Sequence, residues 1–512
     1  MKTDVLIIGA GPTGLALATQ LLRYKIDFII IDKNESTTAH SKAIGVQART
    51  LEIYEQLNIA RDLITQGTIV ESARLVESGE VRGEIDLKNF GTGMSPYPFL
   101  LIVEQGLHEA LLYDVIKSQN ADVHWLTELQ GLSQDAEGVT ANVKFPDERI
   151  ETINARFVVG CDGAHSFVRH ALGLKFEGGT FERLFYVADV EIDWKFSHDA
   201  LHVNLGKDNL TAFFPMRGER RWRIVGTFPE GHAKDEGEIL YDEVERQIIA
   251  DTKINFDITK VNWFSVYKVH SRAVNKFSEG RCFLAGDSAH IHTPAGAQGM
   301  NTGIQDGYNL AWKLKIALDG EPSDELLASY NFERLENAKR LLQTTDRFFQ
   351  FGASEEWFLA FMRVYVFPYV ANFALSLDAV KKLVFPLVSQ IGISYRTSPL
   401  SVGGDGFSVK AGDRMPYFIV DGTSIYDRLH EPSFHLLNFF DGTTPVADLE
   451  SAVENVADVF TFPLYPNIAE IFGAPKTFSV LLRPDNYIGY IAENATAESV
   501  TQYLKHLGIA KN

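Results

Sequence analysis

An α/β fold with more than one domain is predicted by three features of the 512-residue sequence. Residues 4–32 read as strand, glycine turn, helix and strand, the βαβ unit of a doubly wound sheet. Residues 183–270 are rich in short β-type segments, which predicts an antiparallel sheet as a second layer. Helical periodicity then returns near Gly303, and a last α/β segment follows residue 395. A chain of this length is expected to form two or three domains.

The elements follow from the apolar patterning in chain order. Strand Asp4–Ile8 is followed by a helix from about Pro12 to Tyr24 and by a strand, Asp27–Ile31, that ends on Asp32. The same α/β style predicts a helix over Leu107–Ser118, strands near 122–126, 140–145, 156–160 and 282–285, turns at Gly206 and Gly218, helices over most of 323–390, and a linker after Tyr395 that is rich in Gly, Ser and Pro.

Composition limits the partners. The formal charge of −19 disfavours nucleic acid and anionic membrane surfaces, because both are negative themselves. The two cysteines, Cys161 and Cys282, are too few and too far apart for a disulfide framework or a zinc site. Glycines interrupt the first apolar run, which also lacks the basic leader of a secretory signal. We therefore expect reduced thiols, no bound metal and a cytoplasmic protein.

One segment could be mistaken for a membrane span. Residues 357–377 are apolar overall, but they contain Arg363, Pro368 and Asn372. Such residues are costly in hydrocarbon. A buried or interface helix pair is the better interpretation.

The first motif that carries chemistry is a glycine turn with the spacing G-x-G-x-x-G. Its first glycine permits a tight turn, the second lets backbone approach a pyrophosphate, and the third lets helix and strand pack closely. The helix start favours the negative charge of a pyrophosphate. Asp32 lies 18 residues past the last glycine and can accept from ribose hydroxyls. The residues predicted to bind a dinucleotide here are Gly9, Gly11, Pro12, Thr13, Gly14, Asp32 and Lys33.

Two further segments place an Asp beside a Gly just after an apolar strand. They are Val158–Arg169, which contains Asp162 and Gly163, and Gly280–His290, which contains Gly286 and Asp287. Ligands bind at such strand ends in open α/β sheets. An Asp in this place can also be a helix cap, which is the structural alternative.

These three segments, in this order and spacing, resemble those of FAD-dependent aromatic hydroxylases, the group A flavoprotein monooxygenases of the para-hydroxybenzoate hydroxylase type. The resemblance implies a Rossmann-like FAD-binding domain of the GR2 type, non-covalent FAD and NAD(P)H as a transient co-substrate. It assigns the segment around Asp162 to FAD and NAD(P)H, and Asp287 to the ribityl chain of the flavin.

The resemblance continues through residues 294–314, which are similar to the family run G-x-N-x-G-x-x-D-x-x-N-L-x-W-K-L. It implies that backbone N–H groups near Gly299, Met300 and Asn301 meet the pyrimidine edge of the flavin, and that Pro294 lies at its substrate side. The positive end of the helix would stabilise the anionic reduced flavin. Thr293 and Ala297 depart from the family's double proline and double glycine.

Two single residues are carried over from the family. Arg49 matches an arginine beside the FAD pyrophosphate, and Gln105 matches a glutamine near the flavin's sugar or ring region. An exposed Arg and Gln on helix surfaces are the structural alternatives.

The resemblance covers nearly the whole chain and reaches the phenol and polyketide hydroxylase branch. It implies an FAD-binding domain at 1–70, 100–182 and 271–345, a substrate-binding β-sheet domain at 71–99 and 183–270, a helical connection at 346–394 and a thioredoxin-like domain at 395–512. Gly412–Pro416 and Leu482–Asp485 support the last assignment. That domain contains no cysteine, so it cannot exchange thiols as a thioredoxin does. A structural role or a homodimer contact is left for it.

The implied activity is hydroxylation of a phenolic or polycyclic, polyketide-like substrate with O2 through a flavin C4a-hydroperoxide. A general base for the phenol is sought among Tyr267 and His270, on the last predicted strand of the substrate sheet, and His292, beside the flavin motif. Each is a structural residue in the alternative interpretation, as most histidines are.

Two kinds of alternative stay open, one a different reaction and the other no reaction. The same scaffold could epoxidise, open a ring or inactivate an antibiotic, and a protein that binds flavin could sequester a ligand without turnover. The sequence has no second G-x-G-x-x-G in a βαβ context, so NAD(P)H is expected to dock on the FAD domain. It has neither the Cys-x-x-Cys of a disulfide reductase nor the tryptophan motif of a flavin halogenase.

Overall fold

The computed structural model describes residues 1–39, 43–205, 210–229, 238–254, 256–293, 297–320, 322–353, 377–443 and 448–509. Within them the chain is a mixed α/β structure with two eight-stranded sheets, one five-stranded sheet and two smaller ones. The α/β class is as predicted. The predicted turn at Gly206, Pro294 and the apolar segment 357–376 lie outside the described residues.

The first sheet places the predicted motifs along one edge. Its central strands, Cys282–Leu284, Ile150–Gly160, Lys2–Ile8, Phe28–Ile31 and Val123–His124, are all parallel. Their carboxyl ends therefore face the same way, as at the ligand-binding edge of other α/β sheets. The strands are apolar on both faces because helices cover both sides. Antiparallel strands complete the sheet at Ser278–Glu279, Val139–Lys144 and Glu128–Gln134.

Two helices pack on each other beside the glycine turn. Helix Pro12–Arg23 has Pro12 in its first turn and an apolar side that is buried. Helix Gly299–Asp319 crosses it closely, since a Cβ at Gly307 would lie only 3.1 Å from the Cβ of Leu17. The other helices are Ala48–Glu55, Ala60–Gln66, Gln105–Ser118, Phe167–Ala171, Tyr241–Thr252, Asp324–Ala353, Asp378–Val388, Glu450–Val453, Pro466–Phe472 and Ala497–His506.

The second sheet is the β-rich layer. In order across the sheet its strands are His290–Ile291, Asp257–Val274, Phe176–Asp193, Arg221–Thr227, Leu210–Pro215, Ala200–Leu205, Ser72–Glu77 and Glu80–Asp86. The pairs are antiparallel as predicted, except that Ala200–Leu205 runs parallel to Ser72–Glu77. The two strands of 18 residues, Phe176–Asp193 and Asp257–Val274, run across the predicted domain limits near 182 and 270.

The second sheet has two different faces. Helix Tyr241–Thr252 covers one face, where Tyr186, Phe213 and Trp222 form a core with Ile248. The opposite face packs against the first unit through a smaller cluster, in which Leu201 and Phe214 contact Ile44, Val70 and Ile102. A three-stranded sheet of Gly45–Val46, Leu100–Ile102 and Thr68–Val70 lies at this junction.

The carboxyl-terminal segment forms a five-stranded mixed sheet. Its order is Val402–Gly403, Ile488–Glu493, Phe478–Leu482, Phe434–Phe440 and Ala457–Pro463. The outer strands at each side are parallel to their neighbours, and the central pairs are antiparallel. A two-stranded sheet, Ile419–Val420 with Thr423–Ser424, lies beside it.

The predicted linker after Tyr395 begins as a packed segment, from Tyr395 to Leu400, and becomes mostly exposed from Val402 to Gly406. Tyr395, Ser398 and Leu400 are all buried. The Tyr395 hydroxyl accepts from Arg334 at 2.7 Å, and the Ser398 hydroxyl donates to Glu333 at 2.7 Å. Among the first residues of the predicted linker, Tyr395 and Ser398 are buried because they satisfy buried charges on helix Asp324–Ala353.

Candidate cofactor site

The three sequence motifs converge on the carboxyl edge of the first sheet. A Cβ on Gly9 would overlap the carbonyl of Cys161, and one on Gly14 would overlap the carbonyl of Gly9. A Cβ on Gly286 or on Gly303 would overlap the hydroxyl of Thr13. The glycines are thus the contact points between segments that are far apart in sequence, and larger residues would hold these segments apart.

Gly11 differs from its neighbours because nothing lies within 4 Å of its hypothetical Cβ. It is the N-cap of helix Pro12–Arg23 and has no capping side chain. The first N–H groups of that helix have no acceptor within the helix, and its dipole favours negative charge. Open space and free donors at this point fit a pyrophosphate, the group predicted for it.

Asp32 lies at the end of the neighbouring strand and is half-buried. Its Oδ2 accepts from the backbone N–H of Ala10 at 2.6 Å, and its Oδ1 accepts from that of Asn34 at 2.8 Å. The carboxylate is therefore fixed beside the glycine turn, with lone pairs left for a ribose hydroxyl. Lys33, the next residue, is exposed.

Gln105 contributes to a second polar group near Asp32. Its amide donates to Glu109 at 2.8 Å and its oxygen accepts from the Ala43 N–H at 3.1 Å. Burial raises the pKa of Glu109, and the nearby charge of Asp32 acts in the same direction. Gln105 is half-buried, so it is not the exposed residue on a helix surface that the structural alternative describes.

Asp162 is a half-buried carboxylate with a free oxygen. Its Oδ2 accepts from the Val168 N–H at 3.2 Å, while its Oδ1 is buried without a hydrogen-bond partner among the described residues. Burial raises the pKa of Asp162. An unpartnered buried carboxylate oxygen is costly, and a hydroxyl-bearing ligand would satisfy it. Gly163 follows with a φ of +76°, a turn that favours glycine.

The segment around Asp287 is fixed by a buried charge network centred on Asp306. The Gly286 N–H donates to Asp306 Oδ2 at 2.9 Å, His290 Nε2 contacts the same oxygen at 2.7 Å, and Arg334 donates to Oδ1 at 2.5 Å. Burial opposes ionisation of Asp306, but Arg334, His290 and the Gly286 N–H together outweigh it and lower its pKa. Asp287 itself is exposed on the resulting turn.

Sequence reasoning missed Asp306 and Arg334 as supports of the site. Asp306 stands in the recognised run of residues 294–314, which was a usable signal for it. Arg334 is 28 positions further along, on another helix, and nothing in its local pattern marks it.

Gly299, Met300 and Asn301 begin the long helix Gly299–Asp319, and the first two are half-buried. The side chain of Asn301 is engaged within the protein, and the prediction for this residue concerns its backbone N–H. Its Oδ1 accepts from the Gln47 N–H and its Nδ2 donates to the carbonyls of Gly45 and Ala297, each at 2.9 Å. Because its side chain is fully engaged and 0% exposed, only its backbone N–H is available to a cofactor.

The predicted pyrophosphate role of Arg49 is contradicted by its surroundings. The residue is 1% exposed. Its guanidinium donates to Glu52 at 3.0 Å and to the carbonyl of Asp485 at 2.9 Å, and it lies over the ring of Tyr487. Arg49 therefore joins the first unit to the carboxyl-terminal segment, and it is not an exposed helix residue either.

The three candidate bases are not brought together. Tyr267 stacks on Phe185 at 6.1 Å, and burial raises its pKa to about 12, so near neutral pH it donates a proton rather than accepts one. His270, three residues along the same strand, points to the other face by the alternation of a strand. There its Nδ1 lies 2.8 Å from the Thr180 hydroxyl, next to a groove of about 350 Å³ that Thr180, Ser271 and Leu342 help to line.

His292 is the candidate nearest the helix start. Its Nδ1 donates to the Thr293 carbonyl at 2.9 Å, which leaves Nε2 as an acceptor. Nε2 is buried and has no partner among the described residues. It lies close to the helix start, since a Cβ built on Gly299 would be 3.2 Å from it. Burial lowers the pKa of His292 to about 4, so it is neutral near pH 7.

Other expectations concern absences. Over the described ranges the structure has no helix that is both long and apolar enough to cross a membrane, and no cluster of His, Cys, Asp or Glu that could hold a metal ion. Cys161 and Cys282 are both buried free thiols.

Known proteins resemble this chain along its whole length. A flavin-dependent monooxygenase of Mycobacteroides abscessus is 31% identical over 516 residues, covering 98% of this chain and 99% of the relative. The 6-methylpretetramide 4-monooxygenase of Streptomyces rimosus is 30% identical, covering 98% and 93%. Among solved structures, the anhydrotetracycline hydroxylase OxyS of Streptomyces rimosus covers 100% of both chains with a TM-score of 0.78 and 25% identity.

The parallel sheet, its glycine turn and the acidic residues at its carboxyl edge define a dinucleotide-binding flavoprotein. The family model described as the FAD binding domain matches residues 2–345. The chain belongs to this family, and it is an FAD-dependent monooxygenase of the aromatic hydroxylase type. The predicted family, enzyme class and FAD cofactor are thereby confirmed, while the roles of single site residues stay predictions.

Proposed function

We propose that this enzyme uses NAD(P)H and O2 to hydroxylate a phenolic or polycyclic, polyketide-like aromatic compound. The proposal rests on two observations. Buried polar atoms of Asp162, His292 and Thr293 have no partner among the described residues, and the space at Gly11 is open. Such atoms would be satisfied by a ligand that carries polar groups at one end. The related monooxygenases that act on polycyclic compounds support the substrate class.

The bound flavin would supply two-electron redox chemistry and oxygen activation. The chain's own residues have three tasks. Gly11 and the helix behind it bind the pyrophosphate, and Asp32 holds a ribose. Asp162 and Asp287 accept from hydroxyls of the linking chain. The second sheet covers the reacting edge with apolar residues, which excludes water and orients the substrate.

We further propose that residues 395–512 are a thioredoxin-like unit with a structural task. The mixed five-stranded sheet, flanked by helices Pro466–Phe472 and Ala497–His506, supports this. The four domain ranges given above are part of the same proposal, with strands shared across two of their limits. A homodimer contact is the other predicted role of this unit.

The experiment begins with Asp287→Ala in the full chain. Asp287 is exposed, so its removal should leave the fold intact and lower the FAD content of the purified protein at least about tenfold. Asp319→Ala, at the far end of the long helix in an exposed pair with Lys315, is the matched control and should keep its flavin. Stoichiometric yellow flavin in Asp287→Ala would contradict the assignment.

Activity is tested on the wild-type holoenzyme. NAD(P)H oxidation should accelerate with a phenolic compound, consume O2 and give a product heavier by one oxygen atom. Structural analysis of that product separates hydroxylation from epoxidation or ring opening. Stoichiometric ligand binding with no NAD(P)H oxidation over a broad aromatic panel would instead identify a ligand-sequestering protein.

A further inference from the structure

Arg223 is a buried arginine with one free end. It lies on strand Arg221–Thr227 and is 1% exposed. Its Nε and Nη2 each donate to a carboxylate oxygen of Asp189 at 2.6 Å. Its Nη1, on the edge turned away from Asp189, has no hydrogen-bond partner among the described residues. A buried donor left without a partner is unfavourable, so the position calls for an acceptor.

The sheet register shows which way Arg223 faces. It is directly opposite Phe214 on one neighbouring strand and Asp189 on the other, and residues opposite each other share a face. Phe214 packs in the cluster with Ile44 and Ile102. Arg221, two residues from Arg223 and on the same face, donates to Glu104 at 2.8 Å. Arg223 therefore lies on the face that covers the FAD-binding unit.

That face adjoins the start of the long helix. Ile44 precedes Gly45, whose carbonyl accepts from Asn301 and whose Cα packs against Ala297. Aromatic residues surround the arginine on the same side. Its guanidinium lies 5.7 Å from the ring centre of Trp263. Its positive charge is also near enough to Tyr267 to oppose the rise in the pKa of that hydroxyl that burial causes. Arg223 thus lies beside two aromatic side chains, on the face of the second sheet that packs towards the start of the long helix.

We propose that Nη1 of Arg223 donates a hydrogen bond to an ionised aromatic hydroxyl of the substrate, and that this contact selects substrates with an acidic phenol group. The inference rests on the proposed function and names its substrate class more closely. Asp189 fixes the plane of the guanidinium, so the donor is oriented before the substrate binds. An ionised oxygen raises the electron density of the ring, so the same contact orients and activates the substrate.

The test measures binding without turnover in the FAD-loaded protein. The probes are alizarin, which has acidic hydroxyls on a polycyclic ring, and alizarin dimethyl ether, which has none. Binding is followed by the change in flavin absorbance. Wild type should bind alizarin at least about tenfold more tightly than the ether, as a charge-assisted hydrogen bond predicts.

The decisive variant is Arg223→Gln combined with Asp189→Asn, which removes both charges and leaves no buried ion alone. Its ratio of the two dissociation constants should fall to about one with unchanged FAD content. Arg223→Lys, which keeps the charge without the planar fork, should give an intermediate ratio. The control combines Arg220→Gln with Asp193→Asn, an exposed pair between the same two strands, and should keep the wild-type ratio.

Equal binding of both probes by wild type, binding of neither, or an unchanged ratio in the double variant would overturn the proposal. Its failure is separable from failure of the proposed function. Oxygenation of both probes would reject the selectivity and keep the activity. Selective binding with no NAD(P)H oxidation by any aromatic compound would do the reverse.

Discussion

The start of helix Gly299–Asp319 (its open end) and the middle of the same helix (its closed part) are surrounded by opposite kinds of polar environment. Around its middle and far half, Asn309 and Lys313 donate to Glu333 at 2.7 and 2.8 Å, and Arg483 donates to the same carboxylate at 2.6 Å. Asp485 pairs with Arg483 and accepts from the Trp312 indole at 3.2 Å. Around its start, buried polar atoms of Asp162, His292 and Thr293 have no partner among the described residues.

The difference separates a structural interface from a binding site. A buried charge is tolerated where every partner is present, and the far half meets that condition within the protein. The start of the helix meets it only when a ligand is added. The same helix therefore joins the carboxyl-terminal unit through residues 309–313, and its start is where we expect free N–H groups to meet the cofactor.

Glu333→Gln should disrupt the buried charge network around the closed part of the helix and have the largest effect. Burial alone would raise the pKa of Glu333, but Arg483 and Lys313 outweigh it and hold the pKa well below its usual range. Removing the charge leaves both cations short of a partner, so we expect a loss of about 3–5 kcal/mol in the free energy of unfolding, measured by urea denaturation. Glu336→Gln, in an exposed pair on the same helix, should lose less than about 1 kcal/mol. Equal losses would show that the network is not special.

Two glycine variants should separate packing from binding at the open end. Gly14→Ala forces the helix away from the carbonyl of Gly9, and we expect a loss of about 1–3 kcal/mol in stability together with loss of FAD. Gly11→Ala meets no protein atom within 4 Å, so it should fold normally and weaken FAD binding about tenfold or more. Thermal unfolding of the apoprotein and FAD titration check the pair. Gly320→Ala, also in open space, is the control; tight FAD binding by Gly11→Ala would disprove the cradle.

The smallest effect should be a change in pH dependence at the open end. His292 has an ordinary pKa of 6.5 and a folded pKa of about 4. Between these values the unfolded chain binds a proton that folded His292 does not, so the free energy of unfolding falls as pH falls from 6.5 towards 4. His292→Gln should reduce this slope by up to about one proton, measured by urea denaturation at several pH values. Exposed His124→Gln should not change it; an unreduced slope in His292→Gln would mean that the ring accepts protons freely.

The local parts of the molecule could be predicted from the sequence. The glycine turn, Asp32 and the strand before Asp162 depend on neighbours within a few residues, and the structure brings their segments together. Arg49 could not be placed correctly, because its partner Asp485 lies 436 positions away. The composition after Tyr395 predicted a linker. The burial of Tyr395 and Ser398 could not be predicted, because their charged partners lie on helix Asp324–Ala353, more than 60 positions earlier in the chain. The partner of Arg223 was equally invisible, since Asp189 is 34 positions away on another strand.

The two strands Phe176–Asp193 and Asp257–Val274 have a mechanical consequence. They run without a loop from the cofactor unit into the second sheet and pair with each other along most of their length. A hinge needs a few residues that can absorb a large change in backbone angles. The pairing of these two strands is irregular between Thr180 and Leu184, next to the predicted domain limit near 182. The two units are thus joined by a pair of long hydrogen-bonded strands, and not by a single flexible linker. Movements of loops, side chains and the cofactor itself can admit NAD(P)H and the aromatic substrate, and any change in the angle between the two units should be taken up at residues 181–183.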